Sequence, residues 1–299
     1  MWGVASNQPR GVARKWRNGM HVGLGGAMSM LLCGVAFWSA PAAEGDGIPN
    51  FAPEPGVAWV PDRPTGDDFL PPLSGPGPVM GDPKRPYVPN GGGRQPTYRI
   101  ADTSNPILKP WVVERMKKSN DEVDAGKVPY ITRERCWPAG VPGFTVYTRV
   151  QAIHFLQTPK KVTIVNELNA QVRNIYMNVP HTANPKPSWY GESVGRYEGD
   201  ELVVDTIGLN DRTYVDNYRT PHTTKIHVVE RFKTIDGGSA LLGTVTVDDP
   251  DAFNMPWTAL QRWRRVTDHP LVEQPCAENN FAFFDYDVVP IPEAKIADF

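Results

Sequence analysis

The sequence predicts a mainly β protein, built as an antiparallel β-barrel or half-barrel of the ligand-enclosing, lipocalin-like kind. From Phe144 onward, apolar and polar residues alternate with a period of two over most segments. Turn-forming residues separate these segments, for example Glu198-Gly199-Asp200 and Asp236-Gly237-Gly238. No long helical pattern lies between them, and parallel neighbours would need crossovers of about a dozen residues or more. Neighbouring strands are therefore expected to be antiparallel.

Residues 1–42 predict a signal peptide that is removed on export. Basic residues from Arg10 to Arg17 precede a long uncharged stretch, and Ala40-Pro41-Ala42 follows it. Positive charge, an apolar run and a small-residue cleavage site in this order are typical of secretory signals. We therefore expect a periplasmic or secreted protein that keeps no stable membrane span after cleavage.

Residues 43–105 are dense in proline and glycine and predict an extended arm or linker. Proline lacks a backbone donor and glycine loses much backbone entropy on folding, so no regular element of useful length is expected there. Trp59, Phe69 and Tyr87 are the aromatic residues expected to hold this arm against the folded body.

Residues 106–299 predict a single β-rich domain with one short helix. The helix is expected at about 110–124, since Pro110 suits a first helical turn and Gly126 suits a helix end. Strands are expected at about 145–157, 161–168, 170–178, 201–207, 224–234, 239–248 and 257–266.

The cysteines predict a disulfide between Cys136 and Cys276. Of the three cysteines in the chain, Cys33 lies in the predicted signal. An even number in an exported protein favours a disulfide, and two buried free thiols are the alternative.

The charge balance argues against a nucleic-acid partner. Lys and Arg number 31, Asp and Glu number 33, and the formal net charge is -2. Nucleic-acid binding calls for a basic face. A small organic molecule is the expected partner, and the sequence leaves any protein partner undetermined.

Glu230 is the main candidate for acid/base chemistry. Side chains alternate along a strand, so Val228, Glu230 and Phe232 share the more apolar face and should point inward. A carboxylate in an apolar wall has its charged form disfavoured, which suits acid/base catalysis. The alternative is that Glu230 pairs with an inward arginine such as Arg173 and only braces the barrel.

Four further residues complete the catalytic candidates. Asp205 lies among apolar residues of the strand 201–207, and Arg173 could orient a ligand. His181 and His222 each follow a proline, and histidine is the usual general base near neutral pH. His222 and His227 fit no zinc spacing, so the sequence predicts no metal site. It contains no phosphate-binding glycine loop or dinucleotide fingerprint, so no organic cofactor is expected.

The stretch PSWYGESVGRYEGD, which begins at Pro187, predicts a ligand-binding wall. It is too polar for a core and too aromatic for an ordinary loop. Gly191-Glu192-Ser193-Val194-Gly195 has the spacing of a nucleophile elbow, but no helix follows it, as that motif requires. The predicted ligand-binding residues here and in the loop after 201–207 are Trp189, Tyr190, Ser193, Tyr197, Asn210 and Asp211.

Several of these runs together resemble a large family of uncharacterised secreted bacterial proteins. They are QVRNIYMN, PSWYGESVGRYEGDELVVDTIGLND, PHTTKIHVVERF, VTVDDPDAFNMPWT and CAENN, between Cys136 and Asn280. The family pattern is close to P-[ST]-W-x-G-x-S-x-G-x-W-E-G-D-T-L-V-V-D-T. This chain has Tyr197 where tryptophan is usual and Glu201 where threonine is usual. The resemblance implies export but no particular reaction.

Together these features favour an exported protein that encloses a small molecule in a pocket at one end of a β-barrel. Cofactor-independent acid/base chemistry, as in a lyase, isomerase or hydrolase, is the leading expectation because polar residues are dense around 189–211. A non-catalytic periplasmic binding protein is the first alternative. A protein that serves assembly or interaction is the second.

Overall fold

The computed structural model describes residues 47–62, 68–87, 99–127, 129–146 and 151–276. The predicted signal peptide lies outside the described residues. The helices are α1 (Pro110–Asp124) and the short α2 (Gly143–Val146), with 3₁₀ turns at Thr132–Arg135 and Asp236–Gly238. The strands are β1 (Ala58–Pro61), β2 (Ile153–Thr158), β3 (Lys161–Asn166), β4 (Gln171–Met177), β5 (Glu192–Glu198), β6 (Glu201–Ile207), β7 (His227–Ile235), β8 (Ala240–Asp248) and β9 (Trp257–Val266).

The nine strands form one closed barrel, which confirms the predicted fold class. Each strand pairs with its neighbours in chain order, and β1 closes the circle by pairing with both β2 and β9. Closure gives every strand a neighbour on both sides, so no strand lies at the edge of the sheet. Helix α1 is the one long helix among the described residues, at the position the sequence predicts, and it packs Val112 and Met116 into the core.

The proline-rich arm takes part in the barrel. It supplies β1, a strand that is not expected from the sequence. Four residues that end in a proline are too few to show an alternating apolar pattern. Trp59 and Phe69 are buried as expected, and Tyr87 lies under the guanidinium of Arg99. The described residues from Gly47 to Cys276 belong to one compact unit, so the described part of the arm packs with the β-rich region.

Three further differences concern the strands. The expected strand 145–157 starts only at Ile153, and α2 instead occupies 143–146 as a buried helical turn. The sequence analysis did not assign β5. The expectation of antiparallel neighbours fails at one place, because β5 runs parallel to β4 over Ile175–Met177.

The parallel pair requires the chain to return along the barrel between β4 and β5. The connection 178–191 makes this return without a helix, and His181 within it contacts Glu192 of β5 and Asp205 of β6. It is fixed where Ser188 N donates to Gly208 O at 2.9 Å and Asn210 N donates to Ser188 O at 2.9 Å. This crossing segment creates the candidate site described below.

A layer of polar side chains divides the barrel core. On β7, Val228 belongs to one buried hydrophobic group and Phe232 to the other, with Glu230 between them. The same order is repeated on β9 by Ala259, Gln261 and Trp263. The barrel interior is therefore packed with side chains on both sides of a buried polar layer.

The predicted disulfide is present between Cys136 and Cys276. It joins the segment before α2 to the segment that follows β9. Among the described helices, none has the length and apolar character needed to cross a bilayer.

A candidate binding groove beside β4

A groove of about 790 Å³ lies between the outer face of β4 and the crossing segment. It is on the side of the barrel, whereas the sequence analysis expected a pocket at a barrel end. Among the described residues, β4 pairs with β5 only over Ile175–Met177, so the strands separate beside residues 171–174. Through this gap the groove reaches the inward-pointing residues Arg173 of β4 and Ser193 of β5. Its lining residues are Pro138, Val172, Arg173, Asn174, Tyr176, Thr182, Asn184, Pro185, Lys186, Ser188, Trp189, Tyr190, Gly191, Glu192 and Ser193.

Trp189 and Tyr190 line the groove, and both rings are held in place by neighbours. The ring of Trp189 meets Trp137 edge-on, with centroids 5.4 Å apart. Tyr190 meets Phe144 edge-on at 5.7 Å, and its hydroxyl donates to Gln171 Oε1 at 2.5 Å. Burial raises the pKa of Tyr190 well above its usual value, so the phenol stays neutral. The aromatic side of the groove is thus rigid before any ligand arrives.

Gly191 makes this geometry possible. Its φ of 62° lies in the left-handed region, and a Cβ there would collide with the backbone oxygen of Ile207. Only glycine meets both demands at low cost. The chain can therefore turn from the aromatic pair directly into β5.

The floor of the groove consists of Arg173 and Ser193, which are both almost fully buried. Arg173 Nε and Nη2 each lie 3.2 Å from Ser193 Oγ, and Nη2 also donates to Thr206 Oγ1 at 2.8 Å. Ser193 Oγ has Arg173 and Thr206 Oγ1 as hydrogen-bond partners, and no histidine of the described residues bonds to it. This environment does not suit a nucleophile.

Glu230 lies behind Arg173 and does not line the groove. It points inward, as the alternation of β7 predicts, and its side chain has no exposed surface. Arg173 Nη2 pairs with Glu230 Oε2 at 2.5 Å. Glu230 Oε1 and Arg173 Nη1 have no hydrogen-bond partner within the part of the chain that the structure describes. The observed contact is the bracing pair that the sequence analysis held as the alternative.

A second polar cluster lies at the edge of the groove, on the outer face of β5, β6 and β7. His181 Nδ1 lies 3.0 Å from Glu192 Oε1, and His181 Nε2 lies 2.9 Å from Asp205 Oδ1. His227 Nε2 contacts the same Asp205 oxygen at 2.8 Å. Glu192 also lines the groove, so this chain of hydrogen bonds begins at the groove surface.

Both carboxylates of this cluster have pKa values below their ordinary range. For Asp205, partial burial acts to raise the pKa, but the hydrogen bonds from His181 and His227 outweigh it. For Glu192, burial again opposes the shift, and the backbone N–H of Thr182 and the ring of His181 lower the pKa. Both groups are therefore ionised at neutral pH.

The structure separates the remaining predicted site residues from the groove lining. Tyr197 points inward further along β5 and accepts a hydrogen bond from Gln157 at 2.9 Å. Asn210 caps its own loop through Arg212 N at 3.1 Å, and Asp211 is exposed. His222 is buried between Thr213 Oγ1 at 2.8 Å and Thr223 O at 3.0 Å, and burial lowers its pKa. The five catalytic candidates thus do not converge in one cavity.

Several groove residues were not singled out from the sequence. They are Asn174, Tyr176, Asn184, Lys186, Ser188 and Glu192. The alternation of β4 places Asn174 and Tyr176 on the outer face, which is a readable signal. Without the parallel pairing, however, nothing indicates that the outer face of β4 would line a groove together with residues 182–191.

One group of potential metal ligands exists among the described residues, and it is not part of the groove lining. His154, Glu167 and His269 place one ligand atom each within 4.8 Å of one another.

Comparison with known proteins adds no assignment. No protein-family model matches the chain, and no curated protein matches it either.

Proposed function

We propose that this protein is exported and binds a small, neutral organic molecule in the groove beside β4. The observation that carries the proposal is the rigid pair Trp189 and Tyr190, which lines the same groove as the buried arginine Arg173. Binding sites of this kind combine apolar walls with a few fixed polar groups. The aromatic rings offer contact area at a small cost in rotamer entropy.

The charges of the groove favour a neutral ligand that carries oxygen acceptors. Glu230 balances Arg173 from behind, and the remaining lining charges, Lys186 and Glu192, have opposite signs. A charged ligand would find no net counter-charge. Hydroxyl and amide groups of Asn174, Asn184 and Ser188 line the same space and suit hydroxyl or carbonyl groups on a ligand. A molecule with one flat apolar face and several oxygens, such as a sugar, fits these features.

Export is supported by the predicted signal peptide and by the disulfide. Disulfides persist in oxidising compartments such as the periplasm and the extracellular space. Sequencing the N-terminus of protein recovered outside the cytoplasm tests this, since the first residue is expected close to Ala43. A mature protein that begins at Met1 or Met20 would contradict it.

Thermal-shift screening of the mature protein against neutral sugars, polyols and phenols tests the binding proposal. A compound that raises Tm for the wild type should lose most of its effect on the Trp189→Leu variant, because the ligand wall is gone. Trp111→Leu is the matched control, since Trp111 is a partly exposed tryptophan on α1 and does not line the groove. Equal shifts for wild type and Trp189→Leu would place binding elsewhere.

Acid/base catalysis is a second candidate, and one observation favours it. Glu192 faces the groove while His181 and then Asp205 stand behind it in a continuous chain of hydrogen bonds. Such a chain can pass a proton to and from a bound molecule. If a bound compound is converted, the Glu192→Gln variant should lose about 10²–10⁴ in rate while it still binds. If the wild type binds the compound but does not convert it, catalysis is excluded and only the binding function remains.

A further inference from the structure

Three side chains from separate parts of the chain converge at one end of the barrel, outside the proposed groove. His154 lies on β2, Glu167 follows the last residue of β3, and His269 follows β9. His154 Nε2 lies 3.0 Å from Glu167 Oε1, and His269 Nε2 lies 2.8 Å from the same oxygen. From these contacts we infer that the three residues form a binding site for a divalent transition metal of the Zn²⁺ type.

The carboxylate of this cluster is unusually confined. The side chain of Glu167 is only 2% exposed, compared with 29% for Asp205 in the other histidine–carboxylate cluster. Its second oxygen accepts a hydrogen bond from Ala152 N at 3.1 Å, which fixes the orientation of the group. A buried negative charge calls for nearby positive charge or metal coordination. A divalent cation between the two rings and the carboxylate supplies that charge.

The ligand types match what zinc requires, and the three ligand atoms lie within 4.8 Å of one another. Two imidazole nitrogens and one carboxylate oxygen are an established protein ligand set for Zn²⁺, with a fourth position left for water. Bonds of about 2.0–2.2 Å in a tetrahedron place ligand atoms roughly 3.3 Å apart. The two nitrogen–oxygen distances need to widen by only a few tenths of an ångström to meet this. His269 is 32% exposed, which provides a route for the ion and for water.

The histidine rings are already arranged for joint coordination. They stack with centroids 5.9 Å apart and an angle of 27° between their planes, and both Nε2 atoms contact the same oxygen, Glu167 Oε1. The segment that carries His269 is anchored by its backbone, since His269 N donates to Gly56 O at 3.0 Å. The cluster therefore needs little ordering when a metal binds.

Sequence spacing alone does not reveal this site. His154 is 13 residues from Glu167, and Glu167 is 102 residues from His269. No local zinc motif spans such distances, so the sequence analysis predicted no metal. Closure of the barrel brings the end of β3 beside the start of β2 and the chain that leaves β9.

A bound metal would join β2 and β3 to the segment that follows β9. Two other contacts hold the same segment: Asn169 N donates to Gln274 O at 3.0 Å, and Cys276 forms the disulfide with Cys136. We therefore expect the metal to raise the thermal stability of the protein as well as to bind.

Isothermal titration of tag-free mature protein, stripped with a chelator, with Zn²⁺ tests the inference. The wild type should bind one equivalent of Zn²⁺, and the bound metal should raise the Tm of the protein. When Co²⁺ replaces Zn²⁺, the protein should show the visible absorption of tetrahedral Co²⁺. The His269→Gln variant should bind Zn²⁺ at least about 100-fold more weakly, more than outer-sphere partners usually contribute. Because His269 is partly exposed and lies outside the strands, this variant should fold normally.

Glu167→Gln, which tests the buried ligand, should show the same loss if it folds. The matched control is His227→Gln. This variant removes one of the two histidines that contact Asp205 in the other histidine–carboxylate cluster. It should bind Zn²⁺ like the wild type. Absence of binding to the wild type, unchanged binding to His269→Gln, or loss of binding in His227→Gln instead would each overturn the inference.

Discussion

At the scale of single residues, the contact between Arg173 and Glu230 links the groove to the barrel core. Arg173 lines the groove beside Ser193, and its Nη2 atom contacts both the Ser193 hydroxyl and the fully buried carboxylate of Glu230. Buried ion pairs contribute little net stability, but the loss of one partner leaves an uncompensated charge in the core. The pair therefore makes the groove floor depend on an intact barrel interior.

Replacing Glu230 with glutamine should destabilise the protein by about 3–5 kcal/mol, because Arg173 would remain charged and buried without its partner. Urea unfolding and the Tm measure this effect. Glu198→Gln serves as control, since Glu198 pairs with Arg231 on the surface and its loss should leave Tm nearly unchanged. If Glu230→Gln kept full stability, the bracing role of Glu230 would be excluded.

The sequence could predict the orientation of Glu230 but not the role of Glu192. Strict alternation along β7 places Glu230 with Val228 and Phe232, so its burial follows from the pattern. Glu192 is the first residue of β5, and its partner His181 lies in the crossing segment. Their meeting depends on a parallel pairing that no local pattern indicates.

At the scale of elements, the junction of β4 and β5 is the unusual part of the barrel. The strands approach so closely at Gly195 that a Cβ there would lie 2.6 Å from Ile175 Cγ2 and 2.9 Å from Met177 Sδ. The φ of this glycine is not positive, so packing and not backbone conformation requires it. A side chain at this position would push β5 away from β4.

Gly195→Ala should therefore cost about 1–3 kcal/mol through overpacking. Denaturant unfolding gives the value. The control is Gly199→Asn in the turn between β5 and β6, where φ is 60° and no atom lies within 4 Å. Asparagine tolerates this conformation, so the control should be close to neutral. Equal effects of the two substitutions would show that close strand packing is not the cause.

Strand prediction succeeded for long alternating segments and failed for short or interrupted ones. β7, β8 and β9 agree with the expected ranges within a few residues, because each carries a long pattern of alternate burial. β5 contains Gly195 at an inward position, which interrupts the apolar side of its pattern. β1 is buried on almost every residue and is too short to show a period. Tertiary pairing decides such segments.

At the scale of the whole molecule, the disulfide closes the folded chain on itself. Cys136 and Cys276 are 140 residues apart, and every strand from β2 to β9 lies between them. A cross-link over so long a loop removes much conformational entropy from the unfolded chain. It therefore stabilises the barrel even though it lies outside the strands.

The double variant Cys136→Ser/Cys276→Ser should lose up to about 4–5 kcal/mol of stability by this entropic account. Equilibrium unfolding in urea measures the loss. A reductant should produce the same loss in the wild type and no further loss in the variant. If neither the double substitution nor the reductant lowers the free energy of unfolding, the disulfide does not stabilise the barrel.

The uneven pairing around the barrel has a consequence for its motions. Nine residue pairs join β7 to β8, whereas three join β4 to β5. A single residue pair joins β1 to β2. Local opening, followed by amide hydrogen exchange, would therefore concentrate at the β1–β2 and β4–β5 junctions, because fewer backbone hydrogen bonds must break there. A molecule bound in the proposed groove would contact residues of both β4 and β5. Binding would then raise the free energy of opening at the β4–β5 junction, and slower amide exchange at 171–174 would reveal a ligand before its chemistry is known.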